Sequence, residues 1–232
     1  MRDKLHDSLK PIYKDLLSNI QTDKDIYTFC AQWGKNFTDK NNERILFVGK
    51  ATNGWITKSE DIETLFGKDD ERIFDRADQM DWVNNLKGNK KGYNTNNSAF
   101  WRVIKKTAES VLNTNDAIPK IAWSNIYKVS YHKGNPDEKL KRMQKESCKL
   151  ILEKEIELMS PKFVVFLTSG WEEVFIKYLN GGTEPKPIET VKWKDKHFSK
   201  SYKIGEITYI TSVHPQGKNE EEHVKVLSKL MK

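Results

Sequence analysis

Three positions in this sequence carry residue types that suit chemistry on a polar ligand, and each lies in or directly after a short apolar run. Gly49 ends one such run, and a glycine there lets the backbone approach a ligand closely. His214 follows another, where an imidazole can donate a hydrogen bond to the negative charge that develops on a leaving group. Asn125 lies within a third, and its amide offers a donor and an acceptor side by side, as the polar edge of a heterocyclic base requires.

Structural interpretations of the same residues stay open. A glycine after a strand also forms a turn, a single histidine there is often structural, and an asparagine among apolar neighbours is often satisfied by backbone. The sequence has no GxSxG, Walker or GxGxxG motif, which leaves nucleophile-elbow and phosphate-loop chemistry without support. Cys30 and Cys148 form no CxxC pair and the histidines lack ligand spacing, so we expect no metal. Since the sequence has no secretory signal, we expect both thiols to be reduced.

Strand-like runs alternate with helix-like stretches, and this pattern predicts the elements that position the three residues. Continuous apolar runs, typical of strands buried on both faces, cover 45–48, 121–129, 163–167 and 207–213. Amphipathic stretches predict helices over 98–112, 136–159, 170–179 and 218–231. We therefore expect an α/β fold, a three-layer αβα sandwich with a central four-stranded, mainly parallel sheet. Ligands bind at the carboxyl ends of the strands in such sheets.

The expected organisation is a single domain over 1–232 with two helical additions. Apolar residues at spacings of three and four predict a helix over 3–20, and a second helix is predicted over 25–37. Both belong to an N-terminal helical extension over 1–40. A long, highly charged stretch predicts a helical insertion over about 56–92.

The formal net charge of +7 is concentrated in one segment. Within 181–206, which predicts a hairpin or an extended flap, residues 192–203 hold five lysines and one acid, interleaved with aromatics. Lysines that contact phosphates and aromatics that stack on bases are typical of a surface for single-stranded nucleic acid. We assign such binding to Lys192, Lys194, Lys196 and Trp193. An amphipathic hairpin with its aromatics in the core and its lysines in solvent is the structural alternative.

Composition excludes several classes of protein. No apolar run approaches the roughly 20 residues of a membrane-spanning helix. The N-terminus is charged throughout and lacks a signal-peptide core, so we expect a cytoplasmic protein without a membrane partner. Seven tryptophans and ten phenylalanines argue against general disorder.

Taken together, the order of these segments resembles the uracil-DNA glycosylase superfamily, and the likeness is closest to its mismatch-specific and thermostable branches. ILFVGKATNG is similar to the first motif of that family, a strand that ends in a glycine-rich, water-activating loop. NSAFWRVIKK resembles the helix after its base-stacking aromatic, SNIYKVSYHKGNP its asparagine strand, and SVHPQG its second motif. The likeness covers about 44–54, 92–170 and 207–217.

The resemblance implies a DNA-repair hydrolase that flips a damaged or modified base of the uracil type into a pocket and cleaves its N-glycosidic bond without a cofactor. Tyr93 matches the aromatic that stacks on the base, Asn125 would read the polar edge of the base, and His214 would stabilise the departing base. The other base-binding positions lie in the first-motif loop: Gly49, Lys50 and Ala51. The same pattern assigns Phe100 and Trp101 to helix packing.

The sequence departs from the family pattern in ways that bear on catalysis and on the partner. The first-motif loop, 49–54, has no carboxylate to orient water, and Asn53 is the nearest substitute as a catalytic residue. Thr52 takes the place of the usual proline. Three acids at 220–222 follow the second motif, where they suit a helix N-terminus but not a duplex groove. We therefore expect a monomer that acts on single-stranded or distorted DNA.

Two other functions stay open. The first is a protein of the same fold that has lost catalysis and binds nucleic acid or a nucleotide, and the missing carboxylate supports it. A hydrolase that acts on a free nucleoside or another small substrate is the second, with the insertion at 56–92 as a lid.

Overall fold

The fold is described by a computed structural model, which covers residues 1–52, 66, 79–84, 94–194 and 196–232. Within these ranges the helices are α1 Arg2–Ser18, α2 Asp81–Asn84, α3 Ala99–Leu112, α4 Glu138–Met159, α5 Glu173–Leu179 and α6 Glu220–Leu230. The strands are β1 Ile26–Thr28, β2 Gln32–Trp33, β3 Ile45–Gly49, β4 Ile121–Asn125, β5 Val129–Tyr131, β6 Phe163–Leu167, β7 Glu189–Trp193, β8 His197–Ile204 and β9 Ile207–Ser212. Most of the predicted insertion at 56–92, together with Asn53 and Tyr93, lies outside the described residues.

The helix predicted over 25–37 is wrong, because this segment holds strands β1 and β2. Strand β1 pairs antiparallel with β5, and Ile26 lies opposite Tyr131. Ile26 and Thr28 are buried while the residue between them is half-buried, which is the two-residue period of a strand. The run predicted as one strand over 121–129 likewise divides into β4 and β5.

The main sheet is mixed rather than mainly parallel. Among the described residues it contains seven strands in the order β2-β4-β3-β6-β9-β8-β7. Strand β6 pairs parallel with β3 and with β9, whereas β8 pairs antiparallel with β9 and with β7. The expected mixture of helices and a sheet is confirmed, but the central four-stranded parallel sheet is not, since the β7–β8 hairpin extends the sheet with antiparallel strands.

Three of the predicted apolar runs form fully buried strands of this sheet. All five residues of each of β3, β4 and β6 are buried. Strands covered on both faces read as continuous apolar runs, which is why the sequence located them. Strand β3 ends at Gly49, the glycine that the sequence analysis singled out, and β6 ends at Leu167.

The described residues group into two compact units. The first unit comprises Met1–Gln32, Gly49–Ala77 and Ser124–Ser160, and the second comprises Trp33–Val48, Asp78–Trp123 and Pro161–Lys232. In the first unit α1 packs on α4, and in the second α3 packs on α6. No helix within the described ranges is long and apolar enough to cross a membrane.

Candidate functional site

The glycine-rich loop of the first unit is held against the segment that directly follows Asn125. The carbonyl oxygen of Gly49 accepts a hydrogen bond from the backbone N–H of Ile126 at 2.9 Å, and that of Lys50 accepts one from Tyr127 at 3.0 Å. Further along, the buried hydroxyls of Thr52 and Ser130 share a hydrogen bond of 3.0 Å. The structure therefore places the backbone of Gly49 and Lys50 beside the two residues that follow Asn125.

Asn125 is buried with an unsatisfied donor. The residue is 1% exposed, and its Nδ2 has no hydrogen-bond partner among the described residues. A buried polar group left unpaired costs about 1–3 kcal/mol, so such groups are uncommon without a reason. The alternative in which backbone satisfies this amide fails for Nδ2, and a bound hydrogen-bond acceptor would satisfy it.

A buried ion pair anchors the strand that carries Asn125. Lys128 Nζ lies 2.8 Å from Glu155 Oε2 and 2.6 Å from the Ser124 hydroxyl, and both charged side chains are fully buried. Ser124 also donates to Glu155 at 2.7 Å. The charges are thus paired and hydrogen-bonded, as burial requires, and they tie the end of β4 to helix α4.

His214 in the second unit has a fixed ring orientation. Its backbone N–H donates to the Ser169 hydroxyl at 2.8 Å, and its Nδ1 accepts the backbone N–H of Gln216 at 3.3 Å. Because Nδ1 accepts, the neutral ring carries its proton on Nε2, which is then a hydrogen-bond donor. The turn behind the histidine closes with the Lys218 N–H bonded to the Pro215 carbonyl, 3.0 Å.

The ring of Phe100 stacks on the ring of His214. Their centroids are 5.7 Å apart and their planes differ by 13°. Trp101, one position further on α3, is 3% exposed and packs against Trp123, with centroids 5.0 Å apart. Phe100 packs in the same cluster, with its ring centroid 5.4 Å from that of Trp101 and 6.4 Å from that of Trp123. The assignment to helix packing is therefore incomplete for Phe100, which also contacts His214. Adjacent residues point about 100° apart on a helix, so two consecutive aromatics were a signal that one faces elsewhere.

The β7–β8 hairpin divides its aromatics between two faces. Trp193 is 4% exposed, its Nε1 donates to the Ser199 hydroxyl at 3.0 Å, and its ring lies 4.7 Å from the ring of His223. Phe198 is 50% exposed and lies opposite Lys192 in the ladder. The aromatic that the hairpin presents to solvent is therefore Phe198 rather than Trp193. The lysines assigned to nucleic-acid binding are exposed: Lys192, Lys194 and Lys196.

A buried chain of hydroxyls holds the hairpin to helix α6. Ser199 and Ser212 share a hydrogen bond of 2.7 Å, and Ser212 shares another of 2.8 Å with His223 Nε2. Burial lowers the pKa of His223 to about 4, and the nearby His197, His214 and Lys218 act in the same direction. The fully buried imidazole is thus neutral near neutral pH, where its function is structural.

A cleft lies between α5 and the exposed face of the hairpin, with a volume of about 220 Å³. Glu172, which is 5% exposed, lines it and accepts hydrogen bonds from the Thr168 hydroxyl and from the Gly170 N–H. Burial raises the pKa of Glu172, and these hydrogen bonds oppose the rise. The sequence did not point to Glu172, because nothing in the local pattern distinguishes it from the exposed Glu173 beside it.

The described residues show no metal centre. Neither the first nor the second unit contains, within those residues, three or more His, Cys, Asp or Glu side chains arranged to hold an ion. Cys30 and Cys148 are buried and are not joined in a disulfide. Burial raises the pKa of the Cys148 thiol to about 12, so it does not ionise near neutral pH.

Comparisons with known proteins do not assign this chain to a family. Neither a protein-family model nor a curated protein matches it. The functional interpretation therefore depends on the residues described above, which are Gly49, Lys50, Ala51 and Asn125 in the first unit and His214 with the hairpin in the second.

Proposed function

We propose that this chain is a DNA-base glycosylase-like hydrolase that cleaves the N-glycosidic bond of a damaged or modified base of the uracil type. The observation that carries the proposal is the buried Nδ2 of Asn125, which has no partner among the described residues. A flipped base presents carbonyl oxygens on its Watson–Crick edge, and such an oxygen would accept the hydrogen bond that Nδ2 lacks. The adjoining Oδ1 can accept from a ring N–H.

His214 supplies the second role in this proposal. When the bond between the sugar and the base nitrogen breaks, its electron pair leaves with the base. A water oxygen then bonds to the anomeric carbon, and one proton of that water passes, through solvent, to the base anion. The Nε2–H of His214, with its ring oriented through Nδ1, would donate to the negative charge on the departing base. Ring stacking by Phe100 would limit rotation of this donor.

The remaining assignments follow the resemblance and belong to the proposal. Gly49, Lys50 and Ala51 would hold the base and the water, and the anchored loop carbonyls of Gly49 and Lys50 support a fixed loop there. Asn53 would orient the water and Tyr93 would stack on the base, and both lie outside the described residues. The reaction needs no cofactor or metal, and the protein would act in DNA repair as a cytoplasmic monomer.

The proposed fold is the three-layer αβα sandwich of the uracil-DNA glycosylase superfamily, organised as one domain. Its four central strands would be β3, β4, β6 and β9. The parallel pairing of β6 with both β3 and β9 supports this assignment. The β7–β8 hairpin would be an addition at one edge of that sheet.

Single-stranded or distorted DNA is the proposed partner. The exposed lysines of the hairpin favour a polyanion, and Phe198 beside them offers a stacking surface. The acids that follow the second motif form the first turn of helix α6. Asn219 caps this helix, and Arg102 pairs with Glu220. Their negative charge disfavours an intact duplex at this loop.

Base release from oligonucleotides tests the proposal. Single strands that contain uracil, hypoxanthine or hydroxymethyluracil are incubated with the natural chain, and abasic product is quantified. We expect release of at least one base, and a loss of roughly a hundredfold in rate for His214→Ala. His132→Ala, at an exposed histidine, is the matched control and should keep full activity. Absence of abasic product on all three strands would overturn the enzymatic proposal.

A catalytically inactive nucleic-acid-binding or nucleotide-binding protein on the same fold is the second candidate. The sequence 49–54, which has no carboxylate to orient water, favours it. Gel-shift binding that depends on Lys192, Lys194 and Lys196, without base release, would identify this function. Absence of any affinity for nucleic acid at low salt would exclude it.

A further inference from the structure

The cleft of the second unit has a polar floor and a charged rim. Cross-strand register places Lys200 opposite Thr211, so both side chains lie on the same sheet face as Phe198 and Tyr202. Glu172, Tyr202 and Thr211 are each less than a tenth exposed, whereas Phe198 and Lys200 are exposed. The cleft therefore combines buried hydrogen-bonding groups with a half-exposed aromatic ring at its edge.

Glu172 presents an acceptor to this cleft. The hydrogen bonds from Thr168 and from Gly170 are both accepted by Oε2, and the backbone N–H of Glu172 itself also donates to the carboxylate. Oε1 accepts neither of the bonds from Thr168 and Gly170, and the residue lines the cleft. A ligand with an N–H donor would therefore find a buried carboxylate oxygen whose partner oxygen is already held by the loop.

The charges around the cleft restrict what it can take. Glu172, Glu173 and Glu184 line it, and together they disfavour a phosphate inside. Lys200 in the lining, and Lys192 nearby on the same hairpin face, disfavour a small free cation. A neutral ring with an amino group brings neither a phosphate nor a free cation into the cleft. If the ring belongs to a strand, the anionic backbone of that strand stays outside the cleft, near the lysines. The volume of about 220 Å³ lies below the roughly 300–1,000 Å³ of sites for drug-sized ligands, so one ring system fits.

We propose that this cleft binds one unpaired nucleobase bearing an exocyclic amino group, stacked on Phe198 and hydrogen-bonded to Glu172, in a single strand whose phosphates lie along Lys192 and Lys200. Its lining does not include the residues proposed for base excision, Asn125 and His214. It uses the proposed nucleic-acid partner but does not depend on hydrolysis. It would give the protein a preference for the sequence context of its strand.

Pyrimidine homopolymers provide the direct test. Cytosine carries an amino group at the ring position where thymine carries a carbonyl oxygen, and neither strand stacks strongly on itself. Fluorescence anisotropy with oligo-dC and oligo-dT of about 12 nucleotides at about pH 8 should give roughly fivefold tighter binding of dC. Equal affinity for the two strands would overturn the proposal. If the cation agmatine also displaced both strands equally, the cleft would be a cation site instead.

Two substitutions locate the effect. In Glu172→Gln the amide oxygen would keep the Thr168 and Gly170 hydrogen bonds and turn its NH₂ toward the cleft, so the preference should reverse toward dT. Glu206→Gln, at an exposed acid in the β8–β9 turn, changes the charge equally and should leave the preference for dC intact. An unchanged preference in Glu172→Gln would contradict the assigned contact.

The aromatic contact has its own variant, on an exposed side chain that folding does not require. Phe198→Ala should weaken binding of dC by roughly tenfold. Ile188→Ala removes a more exposed apolar residue outside the cleft and should have little effect. His214→Ala should slow base release by roughly a hundredfold while it keeps the preference for dC, so failure of the proposed hydrolysis and failure of this inference are distinguishable.

Discussion

The ring of Phe100 lies nearly parallel to the ring of His214, with 5.7 Å between their centroids. This contact, together with the Gln216 N–H on Nδ1, holds the imidazole so that its Nε2–H points in a defined direction. A donor that is already oriented needs no reorganisation when charge develops on a leaving group, and this is the main source of electrostatic catalysis. Phe100 is therefore the positioning residue on which the proposed function of His214 depends.

Loss of the Phe100 ring should slow base release without unfolding the protein. Stacked aromatic pairs contribute about 0.5–1.5 kcal/mol, so Phe100→Leu should lower the single-turnover rate by roughly threefold to tenfold. Phe100→Tyr keeps the stacked ring and should keep the rate. The affinity for DNA should be the same in all three proteins, because the ring acts on the imidazole, and a loss of affinity that accounts for the whole effect would contradict the positioning function.

Breaking the buried ion pair of Lys128 and Glu155 should lower the free energy of unfolding strongly, whereas replacing both residues with apolar ones should lower it much less. Glu155→Leu leaves a fully buried ammonium unpaired and should lower the free energy of unfolding by about 3–5 kcal/mol. Lys128→Met combined with Glu155→Leu should recover most of that loss. Urea denaturation measures both variants. Glu157→Leu, at an exposed ion pair on the same helix, should change stability by less than about 1 kcal/mol.

His223 should make the protein less stable in acid. Its pKa is about 4 in the folded chain against an ordinary value of 6.5, because burial disfavours the charged ring. Between these two values the unfolded chain binds a proton that the folded chain does not, so stability is full above pH 6.5 and falls as the pH drops toward 4. The loss amounts to about 3 kcal/mol.

Thermal unfolding between these two pH values checks this assignment. His223→Gln cannot titrate and should show a flatter dependence of Tm on pH than the natural chain. His132→Ala, at an exposed histidine, should retain the dependence of the natural chain. Identical curves for His223→Gln and the natural chain would show that another group causes the acid sensitivity.

The hairpin lysines should make the affinity for DNA depend more steeply on salt concentration. Each lysine that contacts a phosphate of a single strand contributes about 0.7 to the slope of log K against log salt. Replacing Lys192, Lys194 and Lys196 with Gln should therefore lower the slope by about 2. The control replaces three other exposed lysines, Lys139, Lys225 and Lys232, which removes the same charge. An equal loss of slope in both triple variants would indicate a general effect of charge rather than a local surface.

Sequence alone predicted the elements whose pattern is local. Strands β3 and β6 are buried on both faces and therefore read as unbroken apolar runs, and helices α3 and α4 show the helical period. The error over 25–37 has a physical cause, since β1 depends on pairing with β5, a partner about a hundred residues away. Pairing between distant segments leaves only a weak trace in a short stretch of sequence.

The candidate site was predictable in part for the same reason. Gly49, Asn125 and His214 stand in or directly after apolar runs, so the pattern pointed to them. Glu172 became a candidate only when loop hydrogen bonds and burial were known. The register of the hairpin decided that Phe198 faces solvent and that Trp193 does not, because a shift of one residue would exchange the two faces.

The donor of Asn125 gives the most direct test of the proposed function. Asn125→Asp replaces the unpaired Nδ2 with an oxygen of nearly the same size, so it removes the amide donor, and it also places an ionisable carboxyl group in a buried position. Uracil release from a single-stranded oligonucleotide is measured under single-turnover conditions, with Tm as the check on folding. We expect the rate to fall by at least about tenfold while the fold is kept. Equal rates in the natural chain and in Asn125→Asp would contradict the proposal that this buried amide reads the base.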